Sequence, residues 1–287
     1  MMKHIKYLLQ FFLIIISFVI FKILGPSLSS KLGGKIFEKI GPFFRSKEII
    51  RSNILKAFPE IDNKKINELS RLMWNNYGRV FAEYIFIKEF RLGKLSSNIQ
   101  IEGQEILEEI VKSNKQVVFV SGHLSNFELM AMHLEKTGIK LAAIYRPLNN
   151  IYLNVIMEKI RKKYICKNQI KKGIAGLKKL LILKKNNLST ALMIDQRVSE
   201  GILSKFFENN ALTTTIPAQL VKKFNIPVVT IFIERTKNLN FKIIVNKPIY
   251  FDKDDSIQNI TDKLNKILEK MILKKPDQWI WSHNRWK

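Results

Sequence analysis

The chain has 287 residues, 46% of them hydrophobic, which is enough to bury the core of one sizeable α/β domain. Its 49 Lys and Arg outnumber its 24 Asp and Glu, and the formal charge of +25 favours anionic partners: acidic lipid surfaces, phosphorylated glycolipids, acidic carrier proteins or nucleic acid. The single cysteine, Cys166, excludes an intrachain disulfide framework.

The N-terminal segment 7–24 is an apolar run interrupted by Gln10, Ser17 and Lys22. Its length is close to the ~20 residues that a membrane-spanning helix needs. A cleaved signal peptide has a similar basic start and apolar core, but no Ala-x-Ala-like cleavage site follows. We therefore expect residues 1–25 to be a retained membrane anchor and residues 26–287 to be one domain. Basic residues are denser after the anchor than before it, which predicts a domain on the cytoplasmic face.

A second helical pattern runs from about residue 64 to residue 90. Apolar residues recur there at spacings of three and four: Ile66, Leu69, Met73, Tyr77, Val80 and Tyr84. Such a stripe is typical of a helix that packs one face against a core.

From residue 99 onward, short apolar runs alternate with helical spacing. The predicted strands are 99–102, 117–120, 141–145, 190–194 and 228–233, and the predicted helices end near 113 and 137 or span 151–163, 174–185 and 215–224. This alternation predicts an α/β fold with a mostly parallel sheet covered by helices. Residues 241–245 and 249–251 are predicted edge strands, and 257–271 is a closing amphipathic helix.

Residues 117–130 form the stretch in which we expect the chemistry. His123 follows a predicted buried strand, and ligands of open α/β sheets bind at the carboxyl ends of strands. Ser125 and Glu128 have the spacing of a capping box at the start of the next helix. With His123 on the turn, Glu128 could accept a hydrogen bond from one ring nitrogen and leave the other to take a proton from a hydroxyl. The spacing alone is equally compatible with a Glu128 that only caps the helix and a His123 without a catalytic role.

Two further segments end predicted strands. Arg146 follows strand 141–145, and Asp195-Gln196 follows strand 190–194, so these side chains could reach the same edge of the sheet as His123. No Gly-x-Ser-x-Gly elbow occurs, which argues against a covalent acyl-enzyme.

The run Gly122-His123-Leu124-Ser125-Asn126-Phe127-Glu128 resembles the Gly-His-Phe-Gly-Asn-Trp-Glu motif of the bacterial lipid A biosynthesis acyltransferases, within the lysophospholipid acyltransferase superfamily. Further blocks resemble that family in order: Asn76-Tyr77-Gly78-Arg79, Tyr145-Arg146-Pro147-Leu148-Asn149-Asn150, Asp195-Gln196, Phe206-Phe207, and the closing segment 276–286. Ile151 stands where the family usually has Pro, and Glu208 where it has Gly. These departures leave the acceptor and one loop shape open.

The resemblance implies a glycerolipid acyltransferase-like fold and transfer of a fatty acyl chain from acyl carrier protein to a hydroxyl of an anionic lipid A precursor at the inner membrane. It implies that His123 is the base and Glu128 its orienting partner. The implied substrate-binding residues are Arg79, Asn126, Arg146, Asn150, Asp195 and Gln196. Arg146 would hold the acceptor's phosphate or stabilise the oxyanion. No cofactor or metal is implied.

Two alternatives to this function remain at the level of sequence. The first is acylation of lysophosphatidate or another membrane glycolipid, and the second is a non-catalytic, basic membrane-surface protein. Residues 159–185 hold eleven Lys or Arg and no acidic residue, which indicates a solvated face or a docking surface for acyl carrier protein or anionic lipid. No recognisable nucleic-acid-binding motif is present, so nucleic acid is not an expected partner.

Overall fold

The computed structural model describes residues 2–173 and 187–287. The helices in this part of the chain are α1 (Met2–Ile40), α2 (Lys47–Ala57), α3 (Asn63–Glu83), α4 (Ile87–Leu92), α5 (Gln104–Ser113), α6 (Glu128–Lys136), α7 (Ile151–Tyr164), α8 (Ile216–Phe224) and α9 (Ile257–Lys274). The strands are β1 (Ile99–Glu102), β2 (Val118–Ser121), β3 (Leu141–Tyr145), β4 (Asn168–Lys171), β5 (Ser189–Met193), β6 (Ile202–Phe206), β7 (Asn209–Thr213), β8 (Val228–Lys237) and β9 (Asn240–Val245). The predicted helix 174–185 lies outside the described residues.

Seven of the described strands form one sheet in the order β1-β9-β8-β2-β5-β3-β4. Every neighbouring pair is parallel except β8 and β9, which pair as an antiparallel hairpin. The predicted α/β class with a mostly parallel sheet is therefore confirmed. Strand β2 is central and all four of its residues are buried, as expected of a strand covered by helices on both faces.

Two strand predictions were wrong, and three strands were missed. Strand β9 is not at an edge, because β1 pairs with its outer side. Residues 249–251 form no strand; Ile249 makes an isolated bridge to Val228. The edge strands of the sheet are β1 and β4, and β4 was missed because Asn168-Gln169-Ile170-Lys171 is too polar to show an apolar run. The hairpin of β6 and β7 was also missed, and it forms a separate two-stranded sheet.

The core lies on both faces of the sheet. Val118 and Val120 of β2 face a cluster that includes side chains of α2, α3, α8 and α9. Phe119, which points the opposite way, belongs to a second cluster with side chains of α4, α5 and α6. Alternate residues of β2 thus pack against helices on opposite faces of the sheet. The chain leaves this covered part of the sheet at the carboxyl end of β2.

The N-terminal helix α1 is bent at Gly25, which has φ 75° and precedes Pro26. Met2–Phe43 is the one helical stretch in the described chain that is long and apolar enough to cross a membrane. The part of α1 after the bend packs on α3. The predicted helix 64–90 is interrupted, because α3 ends at Glu83 and a 3₁₀ turn at Tyr84–Phe86 separates it from α4.

The contact between α1 and α3 depends on two glycines that face each other. A Cβ atom added to Gly78 would lie 2.1 Å from the carbonyl oxygen of Gly33, so α1 would have to move away. We predict that Gly78→Ala lowers the free energy of unfolding by about 1–3 kcal/mol, the usual cost of overpacking. Unfolding of the detergent-solubilised protein, followed as a function of temperature, measures this loss of stability.

Gly34→Ala is the matched control for Gly78→Ala. Its added Cβ would meet side-chain atoms of Asn75 and Arg79 at 2.9 and 3.1 Å, and side chains can yield where a backbone carbonyl cannot. Equal melting temperatures for the Gly78→Ala and Gly34→Ala proteins would contradict the proposed backbone contact.

Candidate active site

The centre of the site is set by the register of two neighbouring strands. Strands β2 and β5 are parallel, and Ser121 of β2 lies opposite Met193 of β5. Two residues beyond each of these positions, the chain reaches His123 and Asp195. The sheet therefore brings together two side chains that are 72 residues apart in the sequence.

Asp195 holds His123 through two hydrogen bonds. Its Oδ1 lies 2.8 Å from His123 Nδ1, and its Oδ2 accepts from the His123 backbone N–H at 2.8 Å. The indole N–H of Trp279 also donates to Oδ2, at 2.9 Å. Asp195 is fully buried, whereas the His123 side chain is 23% exposed, and the described residues form no hydrogen bond with Nε2. The pair has the geometry of an imidazole oriented through one nitrogen and available through the other.

Both members of the pair have shifted pKa values. Burial raises the pKa of Asp195, but the charge and hydrogen bonds of His123 and the Trp279 N–H outweigh it and lower that pKa to about 2. Burial lowers the pKa of His123, but the charge and hydrogen bond of Asp195 outweigh it, so the net shift is upward. Both shifts favour the charged forms, so the Asp195 carboxylate stabilises the imidazolium form of His123.

The predicted hydrogen bond between Glu128 and His123 is wrong. Glu128 Oε1 instead accepts from Arg161 of α7, at 3.0 Å from Nε and also from Nη2. Glu128 still acts on His123 at longer range, since its charge contributes to the raised pKa of the imidazole. The ring already has a carboxylate partner in Asp195, which follows β5. Because Asp195 is distant in the sequence, the spacing of residues near His123 could not identify it.

Arg161 lines the cavity described below but was not among the site residues predicted from the sequence. It lies within the basic run that was interpreted as a solvated face or docking surface, yet its side chain is only 14% exposed. Leu153, Met157 and Arg161 follow each other at spacings of four on α7, and all three line the cavity described below. A cation in line with apolar residues was the available signal.

The predicted capping box is also wrong. Helix α6 begins at Glu128, and its N-cap is Phe127, which makes no side-chain cap. Ser125 lies in the preceding turn in a left-handed conformation, with φ 48°. It is 3% exposed, and its Oγ has no hydrogen-bond partner among the described residues.

An apolar cavity of about 330 Å³ opens beside His123. Its polar end is formed by His123, Ser125, Glu128 and Arg161. The remaining wall is mostly apolar and comes from three helices: Ile14, Ile15 and Phe18 of α1, Val80 and Phe81 of α3, and Ile156 and Met157 of α7. The volume lies at the small end of the range for ligand pockets, ~300–1,000 Å³. The cavity is suited to a hydrocarbon chain that ends at the histidine.

Arg146, Asn150 and Gln196 do not line this cavity in the described structure. Arg146 is exposed, so the positive charge at the cavity comes from Arg161 instead. Asn150 caps α7 by accepting from the Tyr152 N–H at 3.1 Å, and its amide donates to the Tyr7 carbonyl of α1 at 2.8 Å. Gln196 is half-buried next to Asp195. Direct substrate contacts by these three residues stay predictions.

Asn126 and Arg79 belong to a buried polar network. The fully buried Glu83 accepts from both nitrogens of the Arg235 fork at 2.6 and 3.0 Å, and from Asn126 Nδ2 at 3.0 Å. Ser30 of α1 also donates to Glu83, at 2.7 Å, and Arg79 donates to the Ser30 hydroxyl at 3.2 Å. The network ties the turn that carries His123 to α1, α3 and β8. Substrate contacts by Asn126 and Arg79 stay predictions.

These features define an α/β protein in which an aspartate-held histidine faces an apolar cavity, next to a helix of membrane-spanning length. Within the described ranges, no group of three or more His, Cys, Asp or Glu side chains is placed to hold a metal ion. The sequence matches the bacterial lipid A biosynthesis acyltransferases over residues 1–287. The chain belongs to this family, which makes it an acyltransferase of lipid A biosynthesis.

Individual relatives are distant but cover most of the chain. The lipid A biosynthesis acyltransferase 2 of Shigella flexneri is 23% identical over 266 residues, which are 89% of this chain and 82% of that one. The lipid A biosynthesis palmitoleoyltransferase of Escherichia coli K12 is 23% identical over 265 residues, covering 89% and 84%. The crystal structure of the 1-acyl-sn-glycerophosphate acyltransferase from Thermotoga maritima aligns over 91% of this chain and 99% of its own, with a TM-score of 0.43 and 13% identity.

The His123–Asp195 contact predicts a measurable change in the titration of one histidine. In Asp195→Asn the charge that raises the pKa of His123 is gone while the burial that lowers it remains, so this pKa should fall. NMR titration of histidine-labelled protein measures it. His133 is the internal control in the same spectrum, because its pKa of about 4 is set by burial and by Lys136. An unchanged His123 titration would show that Asp195 does not set the charge of the ring.

Proposed function

We propose that the protein transfers a fatty acyl chain from an acyl carrier protein thioester to a hydroxyl of a lipid A precursor. The observation that carries this proposal is the His123–Asp195 pair at the polar end of an apolar cavity. A base for the hydroxyl and a slot for the hydrocarbon chain are what acyl transfer to a lipid requires. Relatives of the chain are named for lauroyl, myristoyl and palmitoleoyl transfer.

In the proposed reaction His123 acts first as a base and then as an acid. The acceptor hydroxyl attacks the thioester carbonyl carbon while its proton passes to His123 Nε2, and Asp195 stabilises the imidazolium that forms. The tetrahedral intermediate then collapses, the C–S bond breaks, and the leaving thiolate takes the proton back. The products are an ester and a free thiol, without an acyl-enzyme.

Glu128 acts in this mechanism by charge rather than by holding the ring. Its carboxylate is 9% exposed and is paired with the Arg161 guanidinium, and both groups are at the polar end of the cavity. Removing the charge in Glu128→Gln would leave Arg161 buried without its partner, and it would lower the pKa of His123. Glu128 therefore helps to raise the pKa of His123, and it pairs with the Arg161 guanidinium in the cavity wall.

The proposed donor is acyl carrier protein because a basic surface covers the outer side of the cavity wall. Helix α7 contributes Met157 and Arg161 to the cavity, while Lys159, Lys162 and Lys163 on the same helix are exposed. An acidic carrier protein docked on these lysines would be steered by their charge and would be weakened by salt. The continuation of the basic run through 174–185 lies outside the described residues.

The test is an acceptor panel incubated with purified full-length protein and acyl carrier thioester, with products identified by mass spectrometry. We expect the lipid A precursor to gain one acyl chain, and we expect His123→Ala to lower turnover at least 100-fold because the base is lost. His133→Ala is the matched control, since His133 lies on α6, bonds Gln104 and does not line the cavity. Acylation of lysophosphatidate alone would replace the proposed acceptor. Absence of acylation of any lipid would favour a non-catalytic role at the membrane.

We also propose that residues 1–25 are a retained anchor and that residues 26–287 are an acyltransferase domain on the cytoplasmic face of the inner membrane. The part of α1 after Gly25 supports this arrangement, because an apolar stripe along it is exposed and continues into the next turn: Leu28, Leu32, Ile36, Ile40, Phe43 and Phe44. Lysines 31, 35 and 39 accompany this stripe. Exposed apolar residues beside lysines are typical of a helix that lies at a membrane surface.

Protease protection in oriented vesicles tests this topology. In inside-out vesicles we expect protease to digest the domain, because its face is then outside, and in right-side-out vesicles the domain should survive. An N-terminal tag detected at full length would exclude cleavage of the first 25 residues. Digestion of the domain only from the periplasmic side would contradict the proposed orientation.

A further inference from the structure

Ser125 is a buried residue in an unfavourable backbone conformation at the edge of the active site. Its φ of 48° lies in the left-handed region, which glycine adopts without strain and serine does not. What serine has at this position, and glycine would lack, is its side chain. The residue is only 3% exposed, and its hydroxyl has no hydrogen-bond partner among the described residues.

Three other donors of the same turn are already used within the protein. The His123 N–H donates to Asp195 at 2.8 Å, the Leu124 N–H to the Gly122 carbonyl at 2.8 Å, and the Ser125 N–H to the Gln278 carbonyl at 2.9 Å. None of these three backbone groups is left to bind a substrate oxygen. The Ser125 hydroxyl, in contrast, is a donor on this turn that the described residues leave uncommitted.

Ser125 is also held in place by the closing segment of the chain. Its N–H bond to Gln278 is followed by a bridge between Leu124 and Trp279, and Trp279 in turn donates to Asp195. Ser125 and His123 therefore share one rigid support, and both line the same cavity. A donor fixed in this way costs little reorganisation when charge develops next to it.

We propose that the Ser125 hydroxyl donates a hydrogen bond to the carbonyl oxygen of the acyl thioester and stabilises the oxyanion of the tetrahedral intermediate. This inference rests on the proposed acyl transfer. When the acceptor hydroxyl attacks the carbonyl carbon, the π electrons of the C=O bond move to its oxygen, which becomes an oxyanion. The Ser125 O–H donates to that oxygen and keeps its own proton. The electrons return when the C–S bond breaks.

The test compares Ser125→Gly and Ser125→Ala in the full-length protein. Both remove the hydroxyl, and we expect both to lower kcat at least 10-fold with KM changed less than about threefold, because the lost bond forms mainly in the transition state. Glycine relieves the strain at φ 48°, so Ser125→Gly should melt at or above the wild-type temperature. If Ser125 had only a structural role, a Ser125→Gly protein that melts at or above the wild-type temperature would not have a lower kcat.

Ser121→Ala is the matched control, since Ser121 is also 3% exposed but contacts Met130 and does not line the cavity. It should keep the wild-type kcat. Wild-type kcat in Ser125→Gly would overturn the inference, as would a loss in Ser125→Ala that glycine restores, because the backbone would then be the cause. A wild-type protein that acylates no lipid would overturn the proposed function and this inference together.

Discussion

The site depends on the parallel pairing of β2 and β5. A register with Ser121 opposite Met193 sets His123 opposite Asp195, and a shift of one residue would turn one of the two side chains to the other face of the sheet. The register is secured by burial, because β2 is covered on both faces and its alternate residues belong to different core clusters. The same packing that stabilises the sheet therefore orients the imidazole. The geometry of the His123–Asp195 pair and the packing of the core are determined by one set of contacts.

A buried ion pair extends this arrangement to the N-terminal helix α1. Glu83 and Arg235 are both buried, and isolated charges in such a place would be costly. Their bidentate contact is completed by hydrogen bonds from Ser30 of α1 and from Asn126 of the turn that carries His123. Because each partner comes from a different element, moving α1 would leave a buried charge incompletely bonded. The N-terminal helix is thus a structural part of the site as well as the proposed anchor.

The lining of the cavity also connects α1 with His123. Ile14, Ile15 and Phe18 come from the apolar helix that precedes the Gly25 bend, and they line the same cavity as His123. In the proposed reaction, a lipid substrate would therefore reach His123 along a wall that α1 helps to form. This layout places an apolar path next to a water-accessible basic surface on α7, where Lys159, Lys162 and Lys163 are exposed. The two substrates of the proposed acyl transfer differ in the same way, since the proposed acceptor is a membrane lipid and the proposed donor is delivered by a soluble carrier.

The sequence by itself determined the α/β class, the apolar N-terminal helix, most strands and helices, and the positions of His123 and Asp195 at strand ends. These features follow from local periodicity and from turn residues, which are properties of short segments. Only the tertiary structure decided that Asp195, not Glu128, bonds His123, because the order of strands in a sheet is not the order along the chain. It also decided that Glu128 bonds Arg161 and that Ser125 occupies a left-handed turn without capping α6. Spacing along a sequence limits which neighbours can meet, but partners from distant segments are chosen by packing, and a buried charge takes the partner that packing provides.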